Sequence, residues 1–199
     1  VKPGERVADL CAAPGGKTAQ LASTGADVLA VDRSAPRMKR FAANMERLGL
    51  QVETRIADAA TLQSEPFDAI LLDAPCSATG TIRRHPDVAW SKTEDDISKL
   101  AALQSRLLDH AATLLKPDGR LVYCTCSLEA EEGENQIAAF LARHPEMERA
   151  PVRPGEILGL DAFLSPEGDI RTTPDAWAHA DPRLAGLDGF FAARLRKRG

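Results

Sequence analysis

The sequence predicts an α/β fold: a mostly parallel sheet with helices on both faces and an antiparallel C-terminal edge hairpin. Three observations carry this. Short apolar segments alternate with longer amphipathic ones along most of the chain. Several of the short segments, such as FDAILLDAP, have unbroken apolar centres, as strands buried on both faces do. The last extended segments are separated by a poorly helical stretch, so they read as a hairpin.

The elements follow in order. RVADLCAA (6–13) is a buried strand running into the turn PGGKT and a helix from about Lys17. ADVLAVD (26–32) is a second strand. The next segment, SAPRMKRFAANMERLGL, is a helix with Ser34 as N-cap, Pro36 in the first turn and Gly49 as stop. Its stripe of Met38, Phe41, Met45 and Leu48 faces the core. VETRIAD (52–58) and FDAILLDAP (67–75) are the third and fourth strands. Residues 76–92 are polar and turn-rich. A long helix fits Thr93 to Lys116, with Ile97, Leu100, Leu103, Leu107, Ala111 and Leu114 on one face and KPDG ending it. GRLVYCTCS (119–127) is a strand and EEGENQIAAFLARH (131–144) a helix. Residues 145–187 are rich in Pro and Gly, with only short strand signals such as GDIRTT. DGFFAARLRK (188–197) is the closing strand. No repeat or linker divides the chain, so it reads as a single domain over 1–199.

Composition narrows the class. At 44% hydrophobic and 27% charged, without low-complexity runs, the chain is globular and long enough for a sizeable core. No apolar stretch approaches the roughly 20 residues of a membrane helix. VKPGERVADL lacks the apolar region of a signal peptide. The chain starts almost on a strand, which suggests that an upstream part is missing. Cysteines at 11, 76, 124 and 126 form no secreted-type disulfide framework and suit reduced thiols in a cytoplasmic enzyme. A net charge of −4, from 25 basic and 29 acidic residues, argues against nucleic-acid binding by the whole surface. It leaves two local basic patches, TIRRHP and RLRKRG.

The turn CAAPGGKT ends like a phosphate-binding loop at Gly16-Lys17-Thr18, but the opening Gly of that motif would fall at Cys11, so the motif fails. What remains is a strand, a tight glycine turn and a helix N-terminus, where doubly wound sheets bind ligands. Gly15 and Gly16 lack Cβ, so a ligand can lie against the backbone. Alone, the turn is an ordinary strand–helix connection. It is joined by Asp32, Asp58 and Asp73, each ending a predicted strand. Any one of them could simply cap a turn. Together they line one edge of the sheet, and Asp32 stands where an acid accepts from two ribose hydroxyls.

The sulfurs pose a separate question. A cysteine is by default a small buried apolar residue. The spacing Cys-x-Cys without a second pair does not fit zinc, and there is no Cys-x-x-Cys redox pair. Covalent catalysis remains: a thiolate can add to C6 of a pyrimidine, making C5 electron-rich enough to take an electrophilic methyl group. Such chemistry needs one sulfur as nucleophile and a second group as base. Cys76 and Cys126 follow neighbouring predicted strands, with Asp73 beside them.

The segments DLCAAPGGKT, VDRS, DAPCSATGTIRRHPDVAW, YCTCSLEAEEGENQI and DGFFAARL together resemble the Sun/Nop-type RNA cytosine-5 methyltransferases, in order and over nearly the whole chain. Within that family the chain is most similar to the bacterial Sun/Fmu enzymes of small-subunit ribosomal RNA. The resemblance implies a Rossmann-like class I S-adenosylmethionine-dependent methyltransferase fold with a mostly parallel seven-stranded sheet. It implies a cofactor site made by Cys11, Ala12, Ala13, Pro14, Gly15, Gly16 and Lys17, with Asp32 on the ribose, Asp58 near the adenine and Asp73 by the methionine end and the target base. Cys126 is then the nucleophile, and Cys76 assists proton removal and release. Cys124 reads as packing. Arg83, Arg84 and His85 are candidates for phosphate contacts. The expected partner is RNA, ribosomal or alternatively transfer RNA; no membrane or metal is expected, and the protein is expected to be monomeric. An RNA-binding module that has lost turnover is the other reading kept. The covalent account needs the fold to pinch a pyrimidine between the two sulfurs with a methyl donor alongside.

Overall fold

A computed structural model of the chain describes every residue except Leu158, Leu160, Pro182 and Leu184. All four fall in segment 145–187, so the reading of that segment lies, at these positions, outside the described residues. The elements are β1 (Arg6–Asp9), α1 (Gly16–Ser23), β2 (Asp27–Asp32), α2 (Ala35–Leu48), β3 (Glu53–Ile56), β4 (Phe67–Asp73), α3 (Val88–Ser91), α4 (Glu94–Thr113), β5 (Leu115–Thr125), α5 (Glu134–Arg143), β6 (Met147–Arg149), β7 (Ile170–Thr172) and β8 (Phe190–Lys197). They form two compact units: residues 1–74, 106–122 and 196–199, and residues 75–105 and 123–195. The helix α4 and the strands β5 and β8 each run from one unit into the other.

In the first unit the strand order is β3-β2-β1-β4-β5. The pairings β1–β2, β1–β4 and β2–β3 are parallel, with Val7 opposite Val28 and Ala69. On the face carrying Val7, Val28 and Ala69 sit Leu21 and Ala22 of α1. On the same face, Ala30 packs with Met38, Phe41 and Met45 of α2. The opposite face, Ala8, Leu29, Val31, Ile70 and Leu72, is equally buried. A sheet covered on both sides explains the unbroken apolar runs.

Three boundaries differ from the sequence reading. The first strand ends at Asp9 rather than Ala13. Ala12 and Ala13 are still buried, because they pack on α2 and not because they extend the sheet. In α2, Ser34 caps as expected, its hydroxyl accepting from Arg37 N–H, but Leu48 is 46% exposed. Gly49 turns left-handed at φ 66°, Leu50 N–H bonds back to Met45 O, and Leu50 packs on the cluster instead. KPDG does not end the long helix; α4 stops at Thr113 and KPDG lies within β5. Phe67 N–H already donates to Leu114 O at 2.8 Å, so the backbone is paired before Lys116 is reached.

The second unit orders its strands β5-β8-β6, and β7 pairs antiparallel with β8. Eight strands are therefore described where seven were expected. β8 lies between β5 and β6, so the hairpin's long strand is not the edge. The extra element is β6, three residues long and too short for a sequence period to reveal; β7 falls in the GDIRTT signal.

Candidate active site

In the first unit, strand register places acids at the carboxyl ends of parallel strands. The backbone after β1 is tied down on both sides: Leu10 N–H donates to Leu71 O and Ala12 N–H to Val31 O, each at 3.0 Å. The two glycines of the turn do different work. Gly15 has φ 104°, and a Cβ there would lie 2.9 Å from both Phe41 and Met45 side chains, so it serves packing against α2. Above Gly16 nothing lies within 4 Å of a built Cβ, so this is the glycine that leaves room for a ligand.

Asp32 is almost fully buried. Its carboxylate accepts from Ala13 N–H at 3.2 Å and Ser34 N–H at 2.9 Å, and Arg37 pairs with it at 3.3 Å. Asp58 is exposed and caps a short turn through Ala60 N–H. Asp73 binds Lys17 Nζ at 2.6 Å. Sequence reasoning missed a fourth acid, Asp9. It is 1% exposed, its Oδ2 accepts from Thr18 Oγ1 at 2.6 Å, and its Oδ1 has no hydrogen-bond partner. Burial raises its pKa from 3.8 to about 6. In the sequence Asp9 lies inside RVADLCAA, read as one strand to Ala13, so nothing there set it apart. Burial, followed by the charges of Asp9, Asp32 and Asp73, pushes the Cys11 thiol up to about 12, so it stays neutral.

These residues fit a nucleoside cofactor carrying a cation. The backbone at Gly16 is open to a ligand, and near Asp58 the apolar side chain of Ile56 is 62% exposed.

In the second unit, Cys76 and Cys126 come together, with Sγ–Sγ 3.5 Å. Cys124 is buried, and none of the four cysteines forms a disulfide. The hydrogen bond with Cys126, then burial, then the Cys126 and Glu132 charges push the Cys76 thiol far above its ordinary range. The two thiols titrate as a coupled pair. One expectation needs correction. A ring sandwiched between two sulfurs at van der Waals contact needs roughly 7 Å between them. At 3.5 Å the two sulfurs touch each other and leave no gap for a ring between them. The basic patches are also more occupied than their sequences suggest. Arg84 forks onto Asp188, Arg194 is held by Glu156, and Lys197 donates to Ala112 and Leu115 carbonyls.

The family described as 16S rRNA methyltransferase RsmB/F matches residues 1–196. The chain belongs to this family. A ribosomal RNA small subunit methyltransferase B from Yersinia pseudotuberculosis is 51% identical over 98% of the chain and 43% of its own length. The crystal structure of PH0851 is 40% identical, covers 98% of this chain and 43% of that one, and superposes with TM-score 0.84. The crystal structure of NSun6 from Pyrococcus horikoshii with SFG, an S-adenosylmethionine analogue, is 29% identical over 100% of this chain and 49% of that one, also at 0.84. The chain thus spans less than half the length of these relatives. As an RsmB/F member it has the Rossmann-like architecture of S-adenosylmethionine-dependent methyltransferases. Among the described residues, no helix is long and apolar enough to cross a membrane, and no three metal-ligating side chains cluster.

Proposed function

We propose that this chain is the catalytic part of a cytoplasmic RNA cytosine-5 methyltransferase acting on ribosomal RNA, with Cys126 as nucleophile. The observation that carries the reading is the 3.5 Å pair of Cys76 and Cys126. A hydrogen bond from Cys76 stabilises a thiolate on Cys126, as the attacking sulfur requires. S-adenosylmethionine, when bound, supplies an electrophilic methyl group. Cys11 to Lys17 would hold it on the backbone above Gly16, with Asp32 and Asp58 toward the nucleoside and Asp73, oriented by Lys17, at the methionine end.

The target cytosine leaves its stack to be reached. Cys126 Sγ bonds to C6 as N3 takes a proton, and C5 then carries the electron pair that accepts the methyl group. Cys76, deprotonated at this stage, takes the C5 proton; the C5–C6 double bond reforms, the Cys126 thiolate is expelled and N3 gives up the proton it took. Asp73, three residues before Cys76 in the chain, is assigned the N3–N4 edge of the base. The test is transfer of labelled methyl from S-adenosylmethionine to ribosomal RNA, followed by nucleoside analysis. The reading expects label in 5-methylcytosine. Label in another nucleoside, or only in protein, contradicts it.

A further inference from the structure

Glu132 is fully buried and far from idle. Its Oε1 accepts from Ser77 N–H at 2.9 Å and Gln104 Nε2 at 3.0 Å; its Oε2 accepts from Ser77 N–H at 3.1 Å and from Ser77 Oγ. Its main-chain carbonyl accepts from Tyr123 OH at 2.8 Å and Thr125 Oγ1 at 3.2 Å. Ser77 directly follows Cys76, and Thr125 directly precedes Cys126. One residue therefore grips the neighbours of both sulfurs. The grip is extended by Gln104 Nε2 on Pro75 O at 2.9 Å, by Ser77 Oγ on Ser127 Oγ at 3.2 Å, and by Gly80 N–H on Cys126 O at 3.0 Å. Burying a carboxylate where an apolar side chain would fill the space costs stability, unless its acceptors are met, as they are here.

We propose that Glu132 is the positioning residue of the sulfur pair, fastening the segment that carries Cys76 to the segment that carries Cys126 and so setting the distance between the two sulfurs. It touches neither sulfur through a hydrogen bond and acts through Ser77, Gln104, Tyr123 and Thr125. The catalytic meaning of the spacing rests on the covalent reading above; the spacing itself does not.

The test uses the purified protein and a measurement that needs no methyl transfer. Diamide takes up two electrons and two protons as Cys76 and Cys126 join in an S–S bond, and peptide mass mapping follows that bond over time. Glu132→Gln keeps the grip: its amide oxygen accepts from Ser77 N–H and Gln104, and its amide N–H donates to Ser77 Oγ. Glu132→Ala leaves those donors buried and unmet. Tyr123→Phe removes one hydroxyl from the Glu132 carbonyl while conserving volume. The Gln variant is expected to couple the two sulfurs within about threefold of wild type, Tyr123→Phe several-fold more slowly, and Glu132→Ala about a hundredfold more slowly. Wild-type coupling in Tyr123→Phe, or in Glu132→Ala with unchanged near-ultraviolet circular dichroism, overturns the proposal; so does failure of Gln to rescue. If coupling follows this order but Cys76→Ala accumulates no RNA adduct on Cys126, the positioning role stands and the covalent reading falls.

Discussion

At the scale of single residues, the site is governed by what burial does to ionisable groups. Asp9 shows it most simply. Unfolded, its carboxyl loses its proton near 3.8; folded, it keeps it until about 6. Between those values the folded state binds more protons, so stability falls as pH rises, by at most about 3 kcal/mol, and stays lower above pH 6. Asp9→Asn is therefore expected to melt above wild type at pH 8 and at the same temperature near pH 4, as read by thermal denaturation without cofactor. A gap independent of pH contradicts the cause given. The sulfur roles also belong to this scale. The hydrogen bond to Cys126 comes first, then burial, then the charges of Cys126 and Glu132, in raising the Cys76 thiol, so the two sulfurs titrate together.

At the scale of elements, the turn between β1 and α1 divides its two glycines between fold and ligand. Gly15→Ala must adopt φ 104° and push a Cβ into Phe41 and Met45, so a loss of about 2–4 kcal/mol in denaturant titration is expected. Gly16→Ala meets open space and is expected to leave stability within about 0.5 kcal/mol. Its effect should appear instead as weaker S-adenosylmethionine binding in calorimetry. If the two variants behave alike, the division is wrong. The same scale explains what the sequence could and could not reveal. The strands β1, β2 and β4 were readable because burial on both faces writes itself as an apolar run, and α2 because its stripe, cap and stop agree. Strand ends were not: Ala12 and Ala13 are apolar for the sake of α2. KPDG looks like a stop in one dimension and lies inside β5 in three. β6 is three residues long and pairs with β8, distant in sequence.

At the scale of the whole molecule, the candidate residues split by kind. Cys76, Cys126 and the aspartates at strand ends were visible because chemistry demands their side chains. Asp9 and Glu132 were not singled out, because only folding reveals that a carboxylate is fully buried and what it holds. Charge is a property of this scale too. With a net −4, and with Arg84, Arg194 and Lys197 engaged locally, the two basic patches have fewer cations to release counterions from RNA than their sequences suggest. The logarithm of RNA affinity against the logarithm of salt should have a slope shallower than about −2 for this chain, with phosphate contacts each contributing about −0.7 on single strands. A slope several-fold steeper would mean that those pairs open to receive phosphate.

The central claim is that the two sulfurs have unlike and fixed roles, and denaturing electrophoresis of protein mixed with RNA and S-adenosylmethionine tests it most directly. Cys76→Ala is expected to accumulate a covalent protein–RNA band, because attack proceeds and release stalls, while Cys126→Ala is expected to show neither band nor methylation. A band from Cys126→Ala, together with none from Cys76→Ala, would reverse the assignment and contradict the account.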